Sequence, residues 1–282
     1  MNRQKSFEND KPTLYLVATP IGNLKEMNER GIEILKEVDV IAAEDTRNTM
    51  KLLSHFGIKT RCIAHHLHNE KESANGLIKM LEEGYNIALV SDAGYPLLSD
   101  PGQVVVNLVI EAGFNVVPIS GSNAALNAVV ASGLSAQPFL FYGFLGSSEK
   151  ERIATLQELK NYPQTLIFYE APHRIEKMLK SALEVLGNRK MCLARELTKK
   201  HEEFIRGNIR DVLEVVDELK GEMVVVIEGC KKEKDSISID LIYGRINEHI
   251  ENGLSSKEAI KKVAKEYGIS KNELYKQYHG LN

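Results

Sequence analysis

Cysteine is scarce in this chain of 282 residues: Cys62, Cys192 and Cys230 lie far apart, at no spacing that a zinc site uses. That argues against a disulfide framework and a metal finger. The apolar neighbours of each cysteine make it read as a buried thiol in a reducing compartment. Long hydrophobic runs are missing too, none approaching the roughly 18 residues of a membrane span. Residues 1–11 are polar and mixed in charge, unlike a signal peptide. A cytoplasmic protein with no membrane partner is therefore expected. Nor is there an excess of one charge. A net charge of −3 creates no global basic field to attract nucleic acid, so any such contact must come from a local patch. What is present is a globular composition, 43% hydrophobic and 27% charged, with length for one large or two ordinary domains.

The stretch from 87 to 102 organises the rest. Residues 87–90 are an apolar run too short for a helix, which marks a buried strand. It opens into Ser91, Asp92, Ala93 and Gly94, small or polar residues that let a ligand approach the backbone, and then Tyr95 and Pro96. A second turn, Ser99-Asp100-Pro101-Gly102, leads into an apolar helix over 104–112. Ligands of open α/β sheets bind outside the carboxyl ends of strands, and an ordinary loop has the same composition.

Other segments in the first half repeat the pattern. Strands are expected at 13–18, 39–43, 61–64 and 115–118, with helices at 28–38, 47–55, 70–83 and 124–132. Five strands alternating with helices argue a parallel sheet. The first strand runs into Thr19-Pro20-Ile21-Gly22-Asn23, a sharp turn that lacks the dinucleotide fingerprint. Glu44 and Asp45 stand at the second strand's end, with Thr46 suited to cap the next helix; a structural and a catalytic role fit these carboxylates equally. His65, His66 and His68 invite a metal reading, but neighbouring histidines on a strand face opposite ways, and a polar loop is expected instead. Ser120-Gly121-Ser122-Asn123 offers backbone N–H groups that suit either an anion or a plain helix cap.

A break at 133–138 precedes a second run. Strands are expected at 139–144, 164–169, 190–194, 202–206 and 224–227, the last of them central. Helices are expected at 147–159, at 211–219 and from Pro172 to Leu186, with Pro172 in the first turn. Hairpin-like pairing points to a mixed sheet. Past a polar linker at 231–238, short helices are expected at 239–252, 255–267 and 270–278, with Ser256 and Ser270 as caps. The last pair has helix-turn-helix spacing. From Lys231 onward ten Lys and Arg stand against eight Asp and Glu, a net of +2, leaving −5 for the rest. This bias toward phosphate is mild, and a domain cap or a dimer contact fits the same residues.

Five motifs now stand in order: Leu14-Tyr-Leu-Val-Ala-Thr-Pro-Ile-Gly-Asn-Leu24, Val40-Ile-Ala-Ala-Glu-Asp-Thr-Arg47, Leu89-Val-Ser-Asp-Ala-Gly-Tyr-Pro-Leu-Leu-Ser-Asp-Pro-Gly102, Phe168-Tyr-Glu-Ala-Pro-His-Arg174 and Ala194-Arg-Glu-Leu-Thr-Lys199. In order and spacing they resemble, over about residues 13–230, the rRNA-modifying members of the tetrapyrrole methylase-like (class III) methyltransferases. Lys271-Asn-Glu-Leu-Tyr275 is similar to those members' C-terminal extension. The resemblance implies an α/β fold of two domains (1–136 and 137–230) with a small helical module (231–282). It implies S-adenosylmethionine in the cleft between domains, a homodimer, and 2′-O-methylation of a cytidine ribose in the decoding region of 16S rRNA within the 30S subunit. Carried over by position, the cofactor contacts are Pro20, Ala93, Gly94, Tyr95, Leu98, Asn123, Ala124, Glu170 and Leu197. Tyr95 stands where a small residue is usual, Ser120-Gly121 where Pro-Gly is usual, and residues 146–152 where a basic loop is usual.

Methyl transfer needs an acceptor oxygen held in line with the breaking bond, helped by a base. Candidates at strand ends for such a base, or for a cation that assists it, are Glu44, Asp45, His66, His68, Asp92, His173 and Arg174. Arg47, Arg174, Arg195 and Lys199, cations beside the motifs, are the candidate RNA contacts. Two other functions share such a fold: methylation of a small molecule such as a tetrapyrrole, and a non-catalytic role in ribosome assembly.

Overall fold

The computed structural model describes residues 3–65, 70–100, 102–231 and 239–280. They form two compact units, one reaching to Cys230 and the other beginning at Lys231. No helix among the described residues is long and apolar enough to cross a membrane.

The first unit holds two five-stranded sheets. In the first, β1 (Thr13–Val17), β2 (Val40–Ala43), β3 (Arg61–Ala64), β4 (Ile87–Val90) and β5 (Asn115–Ile119) lie in the order β3-β2-β4-β1-β5, all parallel. β2 and β4 are buried at every residue, as parallel strands covered on both faces require. Val17, Ile41 and Val90 pack toward α1 (Glu29–Glu37) and α2 (Thr46–His55). Leu14, Ile87 and Leu89 pack toward α3 (Glu70–Glu82) and α4 (Gln103–Glu111). Because every strand points the same way, the loops after β1, β2, β4 and β5 gather along one edge.

α5 (Ala124–Ala131) follows β5 but packs elsewhere. Its Ala125, Ala128 and Val129 join Ile167, Cys192 and Val226 of the second sheet. That sheet comprises β6 (Phe139–Phe144), β7 (Thr165–Glu170), β8 (Lys190–Arg195), β9 (Glu203–Asn208) and β10 (Met223–Ile227) in the order β6-β7-β10-β8-β9. Only the β6–β7 pair is parallel, so the sheet is mixed, with β10 at its centre. Its other face is covered by α6 (Glu149–Leu159), α7 (Ile175–Leu186) and α8 (Ile209–Leu213).

Several local expectations need correction. Asp45, not Thr46, caps α2, its side chain accepting from the Arg47 N–H; a carboxylate is the better acceptor beside a helix N-terminus. Pro172 lies in the turn ahead of α7, which starts at Ile175. The helix expected over 211–219 is broken: α8 begins earlier, on an Asn208–Asp211 capping box, and a 3-10 turn at Val216–Glu218 follows. Of the cysteines only Cys192 is buried; Cys62 and Cys230 are half-exposed.

The second unit has α9 (Ile239–Glu251), α10 (Ser256–Tyr267) and α11 (Lys271–Tyr278) around a core of its own, including Ile246, Ile260, Val263 and Leu274. Ser255 rather than Ser256 caps α10, through a reciprocal box with Glu258. Gly268, left-handed at φ +63, ends α10, and Ser270 caps α11.

Candidate functional site

Two sheet edges meet at one cavity of about 380 Å³. From the first sheet come the loop after β4 and, past β5, the start of α5. The second sheet's contribution follows from register. Met223 at the start of β10 pairs with Glu170 at the end of β7 and with Arg195 at the end of β8, and Phe144 ends β6 beside Tyr169. Hence Phe144, Tyr169, Glu170, Leu197 and Met223 reach the same wall.

Ala93, Gly94, Tyr95, Leu98, Asn123, Ala124, Glu170 and Leu197 all line this cavity. Pro20 does not; it lines a second cavity of about 240 Å³. Gly94 is held by paired backbone hydrogen bonds with Thr19, at 2.9 and 3.0 Å, and has φ +81. A Cβ there would meet Ile21 Cγ2 at 3.5 Å and the Ser122 carbonyl at 3.7 Å, so the backbone conformation, more than crowding, demands glycine. Two N–H groups at the α5 entrance have partners: Gly121 N donates to the Tyr95 hydroxyl at 3.0 Å, and Leu126 N to Asn123 Oδ1 at 2.9 Å. Asn123 therefore caps α5, and Tyr95 braces the entrance.

The acidic candidates separate. Glu44 and Asp92 line the cavity. Asp45 lies off it, and its carboxyl is held at about 2 by hydrogen bonds from Arg47, through Nε at 3.1 Å and Nη2 at 2.7 Å. A carboxylate that reluctant to take a proton makes a poor general base. His173 is exposed and off the cavity wall. His66 and His68 lie outside the described residues, while His65 is buried against Ser73, with Nδ1 and Oγ 2.7 Å apart.

Asp100, read in the sequence only as part of a turn, lines the cavity with Glu44 and Asp92. Burial, and then the nearby Glu44 and Asp92 carboxylates, push its carboxyl up to about 6 against a Ser91 hydrogen bond. Among the described residues, the non-glycine positions with positive φ are Leu97, Ser99, Glu196 and Thr198. They flank Leu98, Asp100 and Leu197, so the strained backbone is concentrated on loops that reach this cavity.

The candidate RNA cations all face carboxylates. Arg174 Nε lies 3.2 Å from Glu170 Oε1, and its Nη2 donates to the Leu145 and Gly146 carbonyls at 2.7 and 3.2 Å. Arg195 pairs with Glu203, its neighbour in β-register. Lys199 bridges Glu196 and Glu222 at 3.0 and 2.8 Å. Arg47, bound to Asp45, is the most exposed of the four, at 86%.

The sequence matches the family described as Tetrapyrrole (Corrin/Porphyrin) Methylases over residues 13–213. The chain belongs to that family. Proteins named ribosomal RNA small subunit methyltransferase I are similar along the whole chain. One from Bacillus subtilis (strain 168) is 47% identical, covering 99% of each chain. One from Escherichia coli O157:H7 is 43% identical, covering 98% of each. Among solved structures, a diphthine synthase superposes with a TM-score of 0.61 at 12% identity, covering 77% of this chain and 90% of its own. A Thermus thermophilus uroporphyrin-III-C-methyltransferase superposes with 0.56 at 17%, covering 77% and 94%. These two carry the likeness of fold.

The cofactor of the family is S-adenosylmethionine, and the cavity suits it. The volume lies within the ordinary range for small-molecule sites, roughly 300–1,000 Å³. Leu98, Ala124, Leu197 and Val224 offer apolar surface to a flat base, and Glu44, Asp92 and Asp100 offer negative charge to a cation. Glu170 Oε2 is buried on this wall with no hydrogen-bond partner among the described residues. Such an acceptor is costly to leave unpaired, and a ligand hydroxyl or amine would satisfy it. Burial pushes the Glu170 carboxyl up, opposed by the Ala171 N–H and Arg174.

Proposed function

We propose that this protein methylates the 2′-hydroxyl of a cytidine ribose in the decoding region of 16S rRNA within the 30S subunit, acting as a homodimer. Methylation of small-subunit rRNA is supported by the name borne by relatives that match the chain from end to end at 43–47% identity; the cytidine 2′-hydroxyl, the decoding region and the homodimer rest on the resemblance of the motifs. The proposed cofactor residues are Ala93, Gly94, Tyr95, Leu98, Asn123, Ala124, Glu170 and Leu197. Pro20 is assigned instead to the neighbouring cavity.

S-adenosylmethionine supplies a methyl group on a sulfonium, an already activated leaving group. The remaining task falls to the chain: to fix the acceptor oxygen and dispose of its proton. A near-attack geometry needs the reacting atoms about 3–3.5 Å apart, which rigid loops secure better than mobile ones. Asp100 takes the proton at its carboxylate, its basicity raised by burial and by Glu44 and Asp92. Glu44 and Asp92 act on Asp100 through their charge. Arg174 orients Glu170 by pairing with Oε1 and leaves Oε2 for the ligand.

The test is incubation with 30S subunits and labelled S-adenosylmethionine, followed by mapping of the modified nucleotide. A single labelled cytidine ribose in the decoding region is the expected result. Label in another nucleotide, or none, overturns the assignment.

The 231–282 unit extends the reading. Because α9, α10 and α11 bury a core of their own, a chain ending at Lys232 is expected to fold and bind S-adenosylmethionine normally. Its loss should fall mainly on KM for 30S, since a tethered second contact raises effective concentration. Unfolding on truncation, or intact activity on 30S, would remove this role from the unit.

A further inference from the structure

We infer that the second cavity receives the acceptor nucleotide, with Lys51 meeting one of its phosphates. The inference rests on the reading as an RNA methyltransferase and names the part of the site that holds the substrate.

The cavity opens at the carboxyl ends of β1 and β4, where α2 begins, and is lined by Thr19, Pro20, Asn48, Thr49, Lys51 and Asp92, among others. Asp92 lines the larger cavity as well, so the two share a wall. An acceptor must lie against the cofactor without displacing it, and a neighbouring compartment meets that need. Its volume of about 240 Å³ is below the usual span of small-molecule sites, roughly 300–1,000 Å³, and suits a single pyrimidine nucleotide rather than a macrocycle.

Two side chains point independently to a ligand there. Thr49 is only 4% exposed, and its hydroxyl is buried with no hydrogen-bond partner among the described residues. An unpaired buried hydroxyl is a standing cost that a bound polar group removes. Lys51 differs from the cations beside the motifs. Arg47, Arg174, Arg195 and Lys199 each hold a carboxylate, whereas Lys51 forms no ion pair among the described residues. Its Nζ has one contact there, with Asn48 Oδ1 at 3.4 Å, and Asn48 is fixed in turn by donating to Asp92 Oδ2 at 2.9 Å. An exposed ammonium with no ion pair, on a compartment whose one lining carboxylate, Asp92, already accepts from Asn48, is placed for phosphate, which a lysine binds as a point charge.

The test compares the full-length protein with Lys51→Ala and Thr49→Val, the second nearly isosteric, in methyl transfer to 30S subunits across a salt series. For Lys51→Ala, KM for 30S should rise about tenfold, and the slope of log affinity against log salt should fall by about one. For Thr49→Val, KM should rise while the melting temperature holds or increases, an outcome that a purely structural hydroxyl would not give. S-adenosylmethionine affinity should stay within about twofold in both. Unchanged KM and salt slope overturn the inference, and so does a fall in cofactor affinity that matches the rise in KM. Failure of the RNA reading shows separately, in wild-type protein that transfers no methyl to 30S. Protection of Lys51 from amine acylation by cytidine 5′-monophosphate, read by mass spectrometry, then decides the cavity alone. Protection upholds it, and none overturns it.

Discussion

Gly94→Val is expected to abolish S-adenosylmethionine binding while the fold survives. Gly94 sits at φ +81, where an L residue costs roughly 1–2 kcal/mol and a β-branched one more. For a unit of this size each kcal/mol lowers the melting temperature by about 2–4 °C, so the protein should remain folded at 25 °C. The paired hydrogen bonds to Thr19 oppose relaxation of the loop. The isopropyl group must therefore either enter the cavity or move Ala93 and Tyr95, which share its wall. Tyr95 in turn holds the Gly121 N–H at the entrance to α5, so a shift at Gly94 spreads to Asn123 and Ala124. Affinity measured by calorimetry should fall beyond detection, with circular dichroism unchanged. A folded variant of wild-type affinity would remove Gly94 from the cofactor site.

How much of this was legible in the sequence follows from the range of the interactions. Five short strands alternating with helices pointed to the parallel sheet, and the apolar runs of β2 and β4 fit its burial on both faces. The ends of β4, β5 and β7 carry Ala93, Gly94, Asn123 and Glu170 to one cavity, as the motif order implied. Pairing across the chain was harder to read. Arg195 looks like a free cation in sequence; only the β8–β9 register sets Glu203 opposite it. α5 looks like the last helix of the first sheet, yet its alanines and valines are apolar enough to pack on either sheet, and they chose the second. Asp45 and Thr46 compete for one cap, and a propensity cannot settle which wins. Asp100 carried no local signal at all. Its turn residues predict a turn, and its raised basicity comes from burial and then from Glu44, distant in sequence, both of which exist only in the fold.

Asp100→Asn should lower kcat by about 10²–10⁴-fold, the usual worth of a positioned general base. S-adenosylmethionine affinity should change far less, because an amide keeps the shape and loses only one of several negative charges on the wall. Wild-type kcat/KM should fall as pH drops through about 6, where the free protein's Asp100 becomes protonated and cannot accept a proton. The acid limb in kcat should lie lower, since a bound cation favours the ionised carboxylate. In Asp100→Asn that limb should vanish. Stability supplies an independent sign. A carboxyl raised from 3.8 to about 6 binds its proton more tightly in the folded state. It therefore contributes stability below the ordinary value, and that contribution is lost as pH rises through about 6. Replacing it with Asn should raise the melting temperature at pH 8 and leave it nearly unchanged at pH 3.5, the trade expected where function keeps an unfavourable charge. Wild-type kcat in a stabilised variant would falsify the catalytic role and leave Asp100 an acidic wall residue. Loss of activity together with loss of cofactor binding would place its contribution in binding instead.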